Sequence, residues 1–241
     1  MEEEVEQLKA YMDASNHTVA VTGSGICYGY GMTRLKQQTN RMDQMRMMSP
    51  KYVKSHPEDF YALMKSSFLD ATFEKGPSEV HKQLAKLEEE GKLAGIVTQN
   101  MDCLHTIAGS KNVVEIMGSF ADSRCVDCGA TYHDYTLWGQ GKEPRCSKCG
   151  GPLIPSCFDR GGPDSSTDRM ERAKDMIAKA QLVIIIGTSG FRSDEYLSRL
   201  QPGTVMVQIN PGRTIFDQMV NLNIRMDAAK VFDEIMQEEN S

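Results

Sequence analysis

The run Leu182-Val183-Ile184-Ile185-Ile186, closed by Gly187, constrains the fold more than any other stretch of the chain. It is β-branched, too short for a helix, and has no polar residue on alternate positions. Such a run reads as a central parallel strand buried on both faces. A strand of that kind needs helices above and below the sheet, so the chain must be α/β. The rest of the pattern agrees. Short apolar strands are expected at Thr18–Val21, Gly95–Thr98, Asn112–Ile116 and Thr204–Ile209, the last strand of the chain. Helical patterns cover 2–14, Ser78–Glu90 with Val80, Leu84 and Leu87 on one face, about Thr167–Lys179, and Ala228–Gln237. Strands alternating with helices predict a doubly wound parallel, Rossmann-like sheet.

Two segments break the alternation. Residues 32–73 are rich in Met, Gln and Arg, with helical stretches (Pro57–Leu69 is the clearest) and no strand. Residues 122–154 hold few large apolar residues and two Cys pairs. The expected division is therefore 1–31, 74–121 and 155–241 for the Rossmann-like domain, with 32–73 as a helical module or flap. Residues 122–154 form a metal-binding insert, and the two interruptions together make a small discontinuous lobe.

Cys125-x2-Cys128 and Cys146-x2-Cys149 are separated by seventeen residues, and turn residues Gly129 and Gly150-Gly151 follow the pairs. Two such knuckles can close a tetrahedral thiolate site on one Zn²⁺. With four thiolates no position is left for a catalytic water, so the zinc is structural. A zinc ribbon reading nucleic acid is disfavoured by the acidic neighbours Asp122, Asp127 and Asp134, and by a net charge of -6 over 241 residues. A thioredoxin-like role fits less well, because neither pair opens a helix after a strand. The start MEEEVEQLKAYMD is acidic and has no apolar core, so it is not read as a signal peptide. No apolar run approaches the ~20 residues of a membrane span. A cytoplasmic protein without nucleic-acid or membrane partners is expected. The sixteen methionines read as packing material.

The chemistry gathers at the carboxyl ends of the strands, where ligands bind in such sheets. Thr22-Gly23-Ser24-Gly25-Ile26 follows the first strand and would let backbone amides approach a pyrophosphate at a helix start. The signal is weak alone, since Tyr28 stands where a full dinucleotide fingerprint has its third glycine; a tight turn that binds nothing is the bland alternative. Gly187-Thr188-Ser189 offers a second cradle, and Asn210 could hydrogen-bond a ribose.

In combination these stretches resemble the sirtuins, the NAD-dependent protein deacylases. Thr22–Ile26 is similar to the family's TGAGI, and Thr98-Gln99-Asn100-Met101-Asp102-Cys103-Leu104-His105 to TQNIDGLH, followed by Ala108-Gly109. Gly187-Thr188-Ser189 matches GTS, Ile209-Asn210 matches IN, and the four cysteines fall where the family has its zinc module. The resemblance implies that Gly23, Ser24 and Gly25 line the pyrophosphate. It implies that Gln99, Asn100 and Asp102 surround the nicotinamide ribose, Asn100 and Asp102 bearing on cleavage of the nicotinamide bond. Gly187, Thr188, Ser189, Asn210 and Ala228 would hold the adenosine half. The ligand is then NAD or ADP-ribose, with a protein acceptor as a further partner.

Three stretches depart from the family pattern. Gly31-Met32-Thr33-Arg34-Leu35-Lys36 stands for the flap sequence GIPDFR, so the Asp, the ring and the guanidinium are replaced by Arg34, Leu35 and Lys36. Glu115-Ile116-Met117-Gly118-Ser119 stands for ELHGS. The family's histidine there is a general base. The Met117 thioether has no titratable proton, and loss of such a base typically lowers a rate on the order of 10²–10⁴-fold. Ile154-Pro155-Ser156-Cys157-Phe158-Asp159-Arg160 stands for the Val-Val-x-Phe-Gly-Glu segment that pairs with an acyl-lysine peptide. The expectation is slow nicotinamide release or ADP-ribosyl transfer with acyl-lysine removal impaired; the alternative is a non-catalytic NAD- or ADP-ribose-sensing module or scaffold. His81 and His105 read as core histidines, and Cys27, Cys103 and Cys157 as buried, inert thiols.

Overall fold

A computed structural model of the chain describes residues 2–27, 40–47, 49–159 and 166–238. Six parallel strands form the main sheet: β1 (Thr18–Thr22), β2 (Gly95–Thr98), β3 (Val113–Glu115), β7 (Leu182–Ile186), β8 (Val205–Ile209) and β9 (Leu222–Ile224), in the order β3-β2-β1-β7-β8-β9. The strand order reverses between β1 and β7, which places a topological switch point there. The strand Thr204–Ile209 is not the last: β9 adds an outer strand. Its three residues Leu222-Asn223-Ile224 carry too little apolar pattern to announce a strand.

Both faces of the sheet are covered, as the run at 182–186 demands. Leu182, Ile184 and Ile186 join Ala20, Val207 and Ile209 in one core with Val5 and Leu8 of α1 (Glu2–Ala14), Leu84 and Leu87 of the helix Glu79–Glu89, and Phe232 of the helix Ala228–Glu238. Val183 and Ile185 point the other way, to Val19, Val21, Val97 and to Met170, Ala173 and Ile177 of the helix Ser166–Ala178. The period-2 alternation of each strand thus feeds two cores.

The two interrupting segments share a third core. Strands β4 (Asp122–Cys125), β5 (Thr131–His133) and β6 (Leu153–Pro155) form an antiparallel sheet in the order β5-β4-β6, a sheet that the polar sequence of the insert does not suggest. Against it pack the helices Pro50–Ser55 and Pro57–Met64, continued by a π-helical turn Lys65–Leu69 and the helix Asp70–Lys75. Phe60 meets Trp138 edge-on at 6.3 Å and Phe158 at 6.4 Å, while Val53, Tyr61 and Met64 lie with Cys125, Cys146, Leu153 and Ile154. Among the described residues no helix is long and apolar enough to cross a membrane.

A polar pair lies inside the first core's edge. The His81 and His105 rings are fully buried, with centroids 4.6 Å apart. The Ser78 N–H donates to His81 Nδ1 at 3.2 Å, and His105 Nε2 is 2.8 Å from Thr22 Oγ1. His81 Nε2 and His105 Nδ1 have no partner, so the two are core histidines that are only half satisfied. Burial lowers the pKa of His81 to about 4 and that of His105 well below its ordinary value. Both are therefore neutral in the folded protein and take up protons on unfolding below pH ~6.5. A depressed folded-state pKa means that this stability is present above that pH and is lost as pH falls. The urea-unfolding free energy of the wild type minus that of His81→Asn should change by about 1.4 kcal/mol per pH unit between roughly pH 6.5 and 4, and stay flat above 7. A difference that ignores pH would show that His81 protonates as readily in the fold as in the unfolded chain.

Candidate active site

Two glycine turns meet at the switch point. The Gly25 N–H donates to the Gly187 carbonyl at 2.7 Å, and the Gly23 N–H to the Ile186 carbonyl at 3.1 Å. A Cβ at Gly25 would lie 2.5 Å from Gly187 O, one at Gly23 2.7 Å from Thr188 Cβ, and one at Gly187 2.5 Å from the Ile26 nitrogen. Gly187 also has φ +61, in the left-handed region. What demands glycine at these three positions is the approach of one backbone to the other. The Gly23 and Gly25 amides, expected to face a pyrophosphate, are bonded within the protein. Ser24 between them and Ser189 after β7 are both exposed.

The loop after β2 fastens onto this pair of turns. Asn100, only 9% exposed, donates from Nδ2 to Gly23 O at 3.3 Å, and its own N–H donates to Thr98 Oγ1 at 3.1 Å. Gln99 accepts from Thr188 Oγ1 at 2.8 Å and donates to Phe191 O at 3.0 Å and to the Tyr196 hydroxyl at 3.2 Å. Both ends of its amide are engaged, so Gln99 acts here as a bridge between loops. Tyr196, fully buried under that bridge, belongs to the site's frame but carries no motif signal in the sequence. Asn210 donates to Thr188 O at 3.2 Å and accepts from the Gly212 N–H at 3.1 Å. Ala228 opens the last helix and is buried in the first core.

Asp102 is half-buried at the end of the same loop, where its Oδ1 accepts from the Leu104 N–H at 3.1 Å. Burial raises its pKa to about 6. Glu115 closes β3 opposite, with its pKa raised to about 8, first by burial and then by the neighbouring carboxyl of Asp102. Met117 packs against the second core, beside a cluster that contains Val97, Val114 and Ile116. The thiols of Cys27, Cys103 and Cys157 are all pushed up by burial, which suits inert groups.

The segment that stands for the family's peptide-pairing strand is engaged within its own fold. Ile154 and Pro155 pair with β4, Phe158 is buried in the third core, and the Phe158 and Asp159 amides both donate to Pro155 O. Asp159 accepts two bonds from Arg124, at 2.6 and 2.9 Å. The flap stretch Gly31–Lys36 and Arg160 lie outside the described residues.

The four cysteines converge. Their sulfurs all lie within 4.8 Å of one another, with Cys125 to Cys149 at 3.5 Å and Cys128 to Cys146 at 3.6 Å. Each pair closes the same turn: the Gly129 N–H donates to Cys125 O and the Gly150 N–H to Cys146 O, at φ +74 and +75. A tetrahedral ion with bonds of about 2.3 Å needs sulfurs roughly 3.8 Å apart, so the four fit one metal.

The interlocked turns predict a stability effect. Gly25→Ala would force the turns apart and cost about 1–3 kcal/mol, read as a lower urea midpoint. Gly212→Ala is the control: its added Cβ meets nothing nearer than Asn210 Oδ1 at 3.8 Å, and the midpoint should not move. Equal midpoints for the two variants would remove the close-approach argument.

Known proteins are similar to this chain in sequence and in fold. The profile of the Sir2 family matches residues 29–191. An NAD-dependent protein deacetylase of Clostridium acetobutylicum is 36% identical over 196 residues, covering 79% of this chain and 77% of its own. One from Clostridium perfringens is 31% identical over 247 residues, covering 98% of this chain and all of its own. Among solved structures, a Sir2 homologue complexed with ADP-ribose superposes with TM-score 0.79 at 27% identity, over 98% of this chain and 96% of that one. Sir2 with a p53 peptide and NAD+ gives 0.76 at 27% identity, over 98% of each. A family match over most of the length, joined to the same fold, leaves one conclusion: the chain belongs to the Sir2 family.

Proposed function

We propose that the protein binds NAD or ADP-ribose at the switch point, holds a structural zinc in its four-cysteine site, and has impaired acyl-lysine removal. Its remaining chemistry is slow release of nicotinamide or transfer of an ADP-ribosyl group. The observation that carries the reading is the contrast at the ends of β2 and β3. Asn100 and Asp102 are held at the turns, while Met117 lies against the apolar core and has no proton to exchange.

In this reading Ser24 and Ser189 present the exposed hydroxyls that flank the paired turns, with Gly23, Gly25, Gly187 and Thr188 giving the close backbone surface a pyrophosphate requires. Asn210 and Ala228 stand at the adenosine side, and Gln99 ties the two sides together. NAD supplies a nicotinamide–ribose bond whose cleavage leaves an ADP-ribosyl group for an acceptor. Asp102, ionised above about pH 6, places negative charge where a ribose carbon gains positive character. A general base is what position 117 does not supply. The relatives named as deacetylases support a protein acceptor. The expected division into a Rossmann-like domain (1–31, 74–121, 155–241), a helical module (32–73) and a zinc module (122–154) goes with this reading. So does a cytoplasmic setting, which a four-thiolate zinc site and unpaired remaining cysteines suit.

The second reading, a non-catalytic sensor of NAD or ADP-ribose, is favoured by the peptide segment: Phe158 and Asp159 are committed to the protein's own core and ion pair. Nicotinamide release separates the two. Calorimetry with NAD and ADP-ribose, with chromatography of the NAD sample, should show binding and slow nicotinamide formation; binding without it selects the sensor. On an acetyl-lysine peptide the wild type should be at least about tenfold slower than Met117→His. A wild type as fast as that variant would overturn the impaired-deacylase reading.

For the metal, one zinc per chain is expected by elemental analysis. Cys125→Ser should release it and unfold the third core, since the Cys125 and Cys146 side chains are part of that core. Retention of a cooperative transition at the wild-type midpoint after zinc removal would exclude a structural role.

A further inference from the structure

The Asp102 loop turns on a residue in a disfavoured conformation. Cys103 starts the helix Leu104–Ala108 with φ +58, one of two non-glycine residues with positive φ among those described. The sirtuin pattern has glycine there, and the φ supplies the reason: the chain must enter the left-handed region, where a Cβ is crowded. This chain keeps the turn with a side chain in place, so something must hold it.

Glu115 is placed to do so. It is the last residue of β3, in register with Thr98, the last residue of β2, so its carboxyl faces the loop that leaves β2. The Cys103 N–H donates to Glu115 Oε1 at 3.1 Å. Cys103 Sγ lies 2.9 Å from Ser119 Oγ, which also accepts from the Ala121 N–H at 3.0 Å. The left-handed residue is thus gripped at its amide from β3 and at its sulfur from the segment that follows. One residue on either side lie the Asp102 carboxyl and the Leu104 amide that bonds to it.

We infer that Glu115 is a positioning residue: through the Cys103 amide it holds the left-handed turn that aims Asp102 at the nicotinamide end of the nucleotide site. The inference rests on the nucleotide reading for what Asp102 faces, and on the chain's own geometry for the turn. Glycine at 103 adopts positive φ without crowding. It therefore needs no grip, and Cys103→Gly should rescue the loss of Glu115.

The experiment uses wild type, Glu115→Ala, Glu115→Gln and the double variant Glu115→Ala/Cys103→Gly. Two quantities are read: exchange protection of the Leu104 amide, which reports the turn with no ligand present, and calorimetric affinity for NAD and for ADP-ribose. Glu115→Ala should lose protection at Leu104 and about tenfold in NAD affinity, with ADP-ribose affinity within about twofold, since ADP-ribose has no nicotinamide. Glu115→Gln keeps an acceptor oxygen and should behave as wild type. The double variant should regain both the protection and the NAD affinity. Unchanged protection in Glu115→Ala overturns the inference, and so does loss that the glycine fails to restore. If Glu115→Ala does not fold, folding of the double variant supports the grip and its failure overturns it. A wild type that binds neither nucleotide sinks the function reading alone, and the Leu104 amide still decides the role of Glu115.

Discussion

The contact between the turns after β1 and β7 sets the geometry of everything around it. Where the strand order reverses, two loops leave neighbouring strands in different directions, and a crevice opens between them unless their backbones are tied. Here they are tied by the Gly25 to Gly187 bond at 2.7 Å, at a separation that admits no Cβ on either side. Asn100 then reaches Gly23 and Gln99 reaches Thr188, so the third loop takes its position from the first two. A shift of one turn would move all three, and with them Asp102. The rigidity comes from backbone hydrogen bonds at the ends of fully buried strands, the part of an α/β protein least able to relax.

How far the sequence disclosed this depends on whether a residue's surroundings are local. The run at 182–186 declares a strand buried on both faces because burial on both faces removes every polar position, and that is visible in five letters. The Cys-x2-Cys knuckles are legible for the same reason, since the ligand spacing is the turn. By contrast β9 is three residues at a sheet edge, and β4–β6 are short strands whose inward residues are supplied with partners by helices far earlier in the chain. Nothing in their own sequences can show that. The glycines were legible as glycines, but the contact that requires them was not: the Gly23 and Gly25 amides bond to the Ile186 and Gly187 carbonyls. A turn made for a ligand and a turn made for another turn call for the same residue.

Gln99 shows the same ambiguity on the polar side. An amide in a nucleotide motif invites a ligand role, yet its oxygen accepts from Thr188 and its nitrogen donates to Phe191 and Tyr196. Tyr196 could not be found from sequence because the helix Ser193–Tyr196 is four residues long and has no periodicity to read. In the sequence Glu115 has no signal beyond its place in the stretch that carries Met117. Its meaning appears once Cys103 is seen at φ +58, because a carboxyl at the end of one strand and a strained amide after the next form a pair only in three dimensions.

These relations bear on what Met117 can mean. The Met117 thioether, just after β3, packs against the apolar cluster that contains Val97, Val114 and Ile116, which would in any case favour an apolar neighbour. In the proposed reading, position 117 lacks a base while the sheet and the turns stay intact. The inferred grip on the Asp102 loop comes through Glu115, two residues earlier, whose raised pKa keeps it largely protonated near neutrality. One strand end thus divides two tasks between residues 115 and 117: holding the loop that carries Asp102, and exchanging a proton. The first is fully built in this chain. In the proposed reading, a fold that keeps the holding device while carrying methionine at the position of the family's base keeps what would bind and orient a nucleotide, and for that reason the proposal puts binding ahead of acyl transfer.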